Sequence, residues 1–188
     1  SYSPWLKALV DDIGLGYLTG YYKLNKREAI AGSLRYFSLG SIQFTNEKGD
    51  PLGTYNPNEF SISGTYSRLF TDNFSGAVSA KFIYSNLTQG QNAGSQETHA
   101  GTSIAADVSI YYRKPLNFSA GQSGQFALGV NISNIGSKIS YTSDVKKDFI
   151  PTQLRIGPAL TYNIDDYNSI TGTVEFTKLL VPTPPIYY

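Results

Sequence analysis

The side chains that most often carry out catalysis are sparse in this sequence. His99 is the only histidine, it follows the polar residues Gln96, Glu97 and Thr98, and the chain has no cysteine. A hydrolase needs a nucleophile paired with a base, and no Gly-x-Ser-x-Gly motif is present to expose a serine. We therefore interpret His99 as a solvated loop residue, and we expect a protein that is not an enzyme and has no catalytic residue.

The paired carboxylates and one glycine-containing loop are the other places where chemistry could occur. Asp11 and Asp12 form one pair and Asp165 and Asp166 another, which is typical of helix ends and turns. Residues 46–50 slightly resemble a calcium-binding loop but lack its full ligand pattern. The sequence therefore predicts no metal site and no cofactor.

Charged residues on the polar faces of predicted strands form a third group. Alternation along the strands places five of them on one face, namely Arg35, Lys81, Asp107, Arg155 and Glu175. An unpaired charge inside a narrow barrel is costly, so we expect these residues to pair with one another or to line water. Structural ion pairing is the favoured interpretation, and a transport role is the alternative.

Period-two alternation identifies the elements that position these charges. Eight strand candidates follow one another along the 188 residues, at about 14–23, 27–38, 59–69, 75–86, 103–113, 125–135, 153–163 and 168–178. In 103–112, Ile104, Val108 and Ile110 face one side, whereas Ser103, Asp107 and Ser109 face the other. Charged residues make up only 15% of the chain, against about 25% in average proteins.

This pattern predicts an all-β fold, a transmembrane antiparallel β-barrel with a lipid-facing exterior and a polar lumen. A short helix is predicted over 3–12, where Ser3 can cap it and Pro4 suits its first turn. A net charge of +1 gives no reason to expect a nucleic-acid partner. We expect residues 1–188 to form a single barrel domain, an incomplete portion of a larger barrel.

The connections between the predicted strands alternate in length. Short turns join strands 1–2, 3–4 and 7–8, whereas 39–58, 87–102 and 136–152 are long, as in outer-membrane barrels with long loops outside the cell. The long loops contain partner-binding candidates, namely Phe44, Tyr55, Asn56, Asn58, Tyr141 and Phe149. Tyr22, Tyr66 and Tyr162 lie beside short turns and predict an aromatic girdle at a membrane interface.

Several runs of residues spread along the chain resemble the PorV family of Bacteroidota, also called LptO. They are SPWL (3–6), VDD (10–12), YLTGYYK (17–23), SLRYFSLG (33–40), GTYNPNEF (53–60), GVNISNIGSKI (129–139) and KLLVPTPP (178–185). The resemblance implies a FadL-like barrel of about 14 strands, a number within the outer-membrane range. It also implies a family chain that is longer than this one at both ends.

The resemblance further implies a function in the type IX secretion system. The expected partners are the large translocon barrel (SprA/Sov-like), the C-terminal domains of cargo proteins, attachment-complex proteins and outer-membrane lipid. The protein would shuttle cargo to the attachment complex at the surface of the bacterial outer membrane. Two alternatives are a FadL-like channel for hydrophobic small molecules and a lipopolysaccharide-modifying deacylase, although no nucleophile–base pair in the sequence supports the second.

Overall fold

The computed structural model describes residues 1–4, 12–46, 48–88, 90, 98–118, 122–142 and 147–181. The strands in these ranges are β1 (Tyr2–Pro4), β2 (Ile13–Lys23), β3 (Glu28–Leu39), β4 (Ile42–Thr45), β5 (Pro51–Tyr55), β6 (Asn58–Thr71), β7 (Phe74–Asn86), β8 (Gly101–Asn117), β9 (Ser123–Gly136), β10 (Gln153–Asn163), β11 (Ser169–Thr173) and β12 (Phe176–Leu179). No helix within these ranges is long and apolar enough to cross a membrane.

One antiparallel sheet of ten strands dominates the part of the chain that the structure describes. Its order is β1-β2-β3-β6-β7-β8-β9-β10-β11, with β12 also paired to β10, and its two edges are open. Each long strand pairs with the next long strand along the chain, and the register shifts near Leu69–Thr71 and Ala106–Val108. The predicted all-β antiparallel fold is confirmed, and the order is that of strands wound consecutively around a barrel wall.

The two faces of this sheet differ in the way that the alternation predicts. The outer face carries large apolar side chains that remain open to the surroundings, such as Leu18 (69% exposed), Ile62 (53%) and Ile104 (68%). The inner face carries small and charged residues, including Arg35, Lys81 and Asp107. An apolar face of this extent would be unfavourable in water, and it suits contact with lipid acyl chains.

The sheet has two different ends. At the short-turn rim, β2 joins β3, β6 joins β7, β8 joins β9 and β10 joins β11. At the long-loop rim, the connections run through 40–57, 87–100 and 137–152. The first long connection contains an element that the alternation did not reveal, the two-stranded hairpin of β4 and β5, which is separate from the main sheet.

The start of the chain corrects part of the predicted helix over 3–12. Ser3 and Pro4 lie in β1, an edge strand that pairs with β2 at Leu15 and Gly14. The predicted residues 5–11 lie outside the described ranges. Proline is tolerated at a sheet edge because its missing N–H needs no partner there. At Gly14 a Cβ would lie 2.7 Å from the Tyr2 hydroxyl oxygen, so a larger residue would require the exposed Tyr2 side chain to move.

The last predicted strand, 168–178, is divided into β11 and β12, and Pro158 explains the division. Val174 N–H donates to the Pro158 carbonyl over 3.2 Å, a bond of the kind found in a hydrogen-bonded antiparallel pair. The reciprocal bond cannot form, because proline has no backbone N–H. The ladder along β10 is therefore interrupted opposite Val174 and resumes at Phe176.

Candidate functional site

The third long connection folds over the inner face at the long-loop rim. We call its described residues, 137–142 and 147–152, the inner connection. Ile139 and Ile150 of this segment are buried against Ala105 of β8, and Ile83 and Tyr141 pack around them. Among the described residues, the apolar cluster on the inner face lies where a loop supplies the second layer, since the strands contribute mostly small residues here.

A polar network fixes the end of the inner connection to three strands. Lys81 Nζ lies 3.0 Å from Asp107 Oδ2 and donates to Asn134 Oδ1 over 2.9 Å. The Asn134 backbone N–H donates to Asp107 Oδ1 over 2.8 Å. The Asn134 side-chain amide donates to the Pro151 carbonyl, and the Thr152 hydroxyl donates to the Asn134 carbonyl. The network thereby connects β7, β8, β9 and the inner connection.

Asn134 occupies this position because of a β-bulge. The register between β8 and β9 shifts between Ala106 and Val108, so that two residues of β9 lie opposite Asp107. Asn134 has a φ of 58°, in the left-handed region that asparagine tolerates better than most residues. Sequence reasoning did not single out Asn134, and an asparagine two residues before Gly136 is the only local sign of irregular backbone.

A second polar chain links the inner connection to β6 and β7. The Tyr141 hydroxyl donates to Ser85 Oγ over 3.0 Å, and Ser85 donates to Glu59 Oε1 over 2.5 Å. Ser85 is almost fully buried. Tyr141, which was predicted to bind a partner, is therefore held within the molecule by its ring and by its hydroxyl.

The predicted inner charges are distributed over two cavities. The upper cavity, of about 1050 Å³, lies beneath the inner connection and is lined by Arg35, Lys81 and Asp107 together with several serines and threonines. The lower cavity, of about 550 Å³, is lined by Arg155 and Glu175 among small residues.

Only two of the five predicted inner charges are brought into contact with each other. Among the described residues, ion pairs join Lys81 to Asp107 and Arg68 to Glu28, so Arg35, Arg155 and Glu175 take part in none. Arg155 Nε donates to Gln153 over 2.9 Å, and Glu175 accepts from the Thr177 hydroxyl over 3.2 Å.

The remaining partner-binding candidates lie along the long-loop rim. Phe44 is in β4 and Tyr55 ends β5. Asn56 accepts a hydrogen bond from Ser41 over 2.7 Å, and Asn58 begins β6 and donates to the Asn56 carbonyl.

Phe149 is the most exposed of the described aromatic candidates in this group, and it borders the upper cavity. Its ring is 52% exposed, and Lys138 Nζ lies 4.1 Å from the ring centroid. This geometry is that of a cation–π contact, which orients the ring at the rim without burying it.

The three tyrosines that were predicted to form an aromatic girdle lie near the short-turn rim. Tyr22, Tyr66 and Tyr162 are all on the outer face and are between 36% and 68% exposed. The Tyr66 hydroxyl donates to Glu28 Oε1 over 2.7 Å, and Arg68 lies 3.6 Å from the same oxygen. A ring on the apolar face with its hydroxyl among charged groups suits a membrane–water boundary.

A comparison with protein families identifies the family to which this chain is similar. The family model described as "Type IX secretion system protein PorV" matches residues 1–186. A comparison with curated proteins finds no match. The family match covers nearly the whole chain, and the apolar outer face agrees with a component of the outer membrane. The chain therefore belongs to the PorV family of the type IX secretion system.

Proposed function

We propose that this protein is the cargo-handling subunit of its secretion system. It binds the translocon barrel, receives the C-terminal domain of exported cargo at its long-loop rim and passes the cargo to the attachment complex. The observation that carries the proposal is the match of residues 1–186 to a type IX secretion protein family. Partner recognition requires no catalytic group, and it uses exposed aromatic and apolar anchors of the kind found at this rim.

The geometry of the inner face favours binding at the rim over passage through the sheet. The inner connection covers part of the inner face, and its residues Ile139 and Ile150 are buried there. The lining of the upper cavity mixes charged and hydroxyl-bearing side chains with apolar ones, so it lacks the continuous apolar wall that a channel for hydrophobic small molecules needs. The inner charges then serve to hold the connection in place, and the open sheet serves as part of a larger barrel wall.

His99 gives no support to the alternative of a deacylase. Its Nδ1 lies 3.0 Å from the Ala100 carbonyl oxygen and its Nε2 lies 3.1 Å from the Thr142 carbonyl oxygen. Both ring nitrogens face backbone carbonyl oxygens, so the ring links the second long connection to the third. A general base needs a ring nitrogen directed at a nucleophile.

The shuttle role is tested by deleting the gene and following proteins that carry the type IX C-terminal signal. We expect these proteins to fail to reach the cell surface and to return there when the gene is restored. Normal delivery of cargo in the deletion strain would contradict the proposal.

A pair of single variants tests whether the long-loop rim binds the cargo. Phe149→Ala removes an anchor that is 52% exposed, and Phe70→Ala removes an equally exposed ring near the short-turn rim. Loss of a binding anchor weakens association roughly tenfold. Copurification of cargo with tagged protein should fall for Phe149→Ala and remain unchanged for Phe70→Ala. Equal copurification with both variants would show that cargo binds elsewhere.

A further inference from the structure

A polar cleft lies where the second and third long connections meet, outside both inner cavities. It has a volume of about 340 Å³, and its lining includes His99, Thr102, Lys138, Thr142 and Lys147. Among the described residues that line it, two are lysines and none is a carboxylate. The cleft is therefore a small concave site with positive charge, and neither the family match nor the strand pattern assigns it a role.

The backbone of the inner connection places both lysines on the same side. Ile139 and Asp148 form an antiparallel bridge in which each N–H donates to the other's carbonyl over 2.8 Å. Ile139 points inward to the apolar cluster. Its neighbour Lys138, and Lys147 on the facing segment, both line the cleft, and Lys138 Nζ also lies 4.1 Å from the Phe149 ring centroid.

The second long connection supplies the opposite wall. The His99 backbone N–H donates to the Tyr141 carbonyl over 2.8 Å, and the His99 ring lies between the carbonyls of Ala100 and Thr142. Thr98 and Thr142 form a further bridge between the two segments. The wall is thus held by contacts between both connections.

The position of the cleft relative to the apolar outer face indicates which part of the membrane the cleft contacts. Thr102 lies on the outer face of β8, and the next outward residue, Ile104, is 68% exposed. The cleft therefore begins where the lipid-facing surface ends, at the level at which lipid headgroups lie against a membrane protein. Lysines beside such a boundary attract anionic headgroups.

We propose that this cleft binds the phosphate group of an anionic lipid. Lys138 and Lys147 supply the positive charge, and the hydroxyls of Thr102 and Thr142 lie on the same lining as hydrogen-bonding groups. A phosphate offers several acceptor oxygens and can bind donors that approach from different walls of a cleft. The adjoining apolar face accommodates the acyl chains, which distinguishes a lipid phosphate from free phosphate.

Lipid retention by the full-length protein tests the proposal. The protein is held in neutral maltoside micelles that contain either phosphatidic acid or diacylglycerol with the same acyl chains, and bound lipid is counted by native mass spectrometry. We expect retention of phosphatidic acid in preference to diacylglycerol. The double variant Lys138→Gln, Lys147→Gln should bind phosphatidic acid roughly tenfold more weakly, because two charge-assisted contacts are lost.

Two further variants keep the result interpretable. Lys26→Gln, Lys114→Gln removes two exposed lysines near the short-turn rim and should bind as the wild type does. Lys138→Arg, Lys147→Arg keeps both charges and should retain binding, which separates loss of charge from loss of fold.

Three results would overturn the proposal. The first is equal retention of diacylglycerol, which would show binding by acyl chains alone. The second is unchanged affinity in the double glutamine variant at 138 and 147. The third is complete displacement of phosphatidic acid by inorganic phosphate at the same concentration, which would show a site for free anions.

Discussion

The two rims of the sheet are held together in different ways. At the long-loop rim, contacts join residues far apart in the chain, such as Tyr141 and Ser85, which are 56 positions apart. At the short-turn rim, the turns are closed by their own residues, as where Asp165 accepts hydrogen bonds from Asn168, three positions away. The long-loop rim therefore contains a buried apolar cluster, whereas the short-turn rim combines locally closed turns with exposed contacts between neighbouring strands, such as that from Tyr66 to Glu28.

Because of this difference, a substitution at the long-loop rim can disturb residues that are distant in the sequence, whereas a substitution within a short turn has a local effect. A group in the inner network has partners on several strands, so removing it leaves those partners without their hydrogen bonds. A group whose hydrogen bonds all lie within its own turn, such as Asp165, affects mainly that turn. The effects of substitutions at the two rims should therefore differ in size, and variants at four positions test this comparison, from the largest expected effect to the smallest.

Lys81→Met should have the largest effect. It leaves Asp107 and the Asn134 amide oxygen without their cation, in a site where the Lys81 and Asp107 side chains are each only 20% exposed. Removing one partner of a largely buried ion pair costs about 3 kcal/mol. Urea unfolding in detergent, followed by circular dichroism, should show this loss, with Lys26→Met in a short turn as the control. Equal midpoints for the two variants would remove the distinction between the rims.

Ile150→Ala should come next. Ile150 is 6% exposed in the cluster beneath the inner connection, and truncating a buried isoleucine costs about 2 kcal/mol or more. Ile170→Ala is the matched control, because Ile170 is 63% exposed on the outer face. The same unfolding experiment should show a clear loss for Ile150→Ala only. A comparable loss for Ile170→Ala would mean that the outer face contributes as much stability as the cluster.

Substitutions of Asn134 separate the backbone conformation from the side-chain contacts. Asn134→Gly keeps access to a φ of 58° but loses the amide bonds to Lys81 and Pro151, at a cost of about 1–2 kcal/mol. Asn134→Ala should be less stable by about a further 1 kcal/mol, because alanine is strained in the left-handed region. Unfolding midpoints should therefore fall in the order wild type, glycine, alanine. An alanine variant as stable as the glycine variant would show that the backbone of the bulge changes its conformation to accommodate alanine.

The smallest effect is expected at Asp165, and it should appear only in acid. Hydrogen bonds from the Asn168 side chain and from the backbone N–H groups of Tyr167 and Asn168 hold the pKa of Asp165 below its ordinary value of 3.8. Since the pKa is lowered on folding, the stabilisation is fully present above pH 3.8 and is lost as the pH falls through the lower, folded value.

Amide hydrogen exchange in residues 164–168 measures this local effect. Protection of the turn should decline below pH 3.8 in the wild type. In Asp165→Asn that step should be absent, whereas Asp166→Asn should retain it, because the hydrogen bonds converge on Asp165. An identical acid response in both variants would show that the step arises outside this turn.

Local periodicity explains how much of the fold the sequence predicted. Ile104, Val108 and Ile110 alternate with polar residues because every second side chain of a strand faces the same side, and this pattern needs no knowledge of the rest of the chain. The short turns followed from similarly local residues, such as Asp165 and Asp166. The predicted helix over 3–12 failed at Ser3 and Pro4 because pairing with β2, a contact with a separate segment, determines their conformation.

The candidate site was less accessible to sequence reasoning for the same physical reason. Alternation assigned Lys81 and Asp107 to one face, but it could not indicate that a bulge brings Asn134 between them. Ile139 and Ile150 lie in a polar segment without periodicity, so their burial against Ala105 depends on the path of the connection. Lys138 and Lys147 face the same cleft only because of the bridge between Ile139 and Asp148.

Pro158 has a consequence for how this edge of the sheet assembles. The turn at 164–168 sets the register of β11, whereas β12 is aligned by its own pairing with Gln153–Ile156. Because the ladder is interrupted between them, a slip of one residue in either segment is not transmitted along an unbroken row of bonds to the other. The proline thus leaves one gap in the hydrogen-bond ladder of this edge, between two segments that are aligned by different pairings.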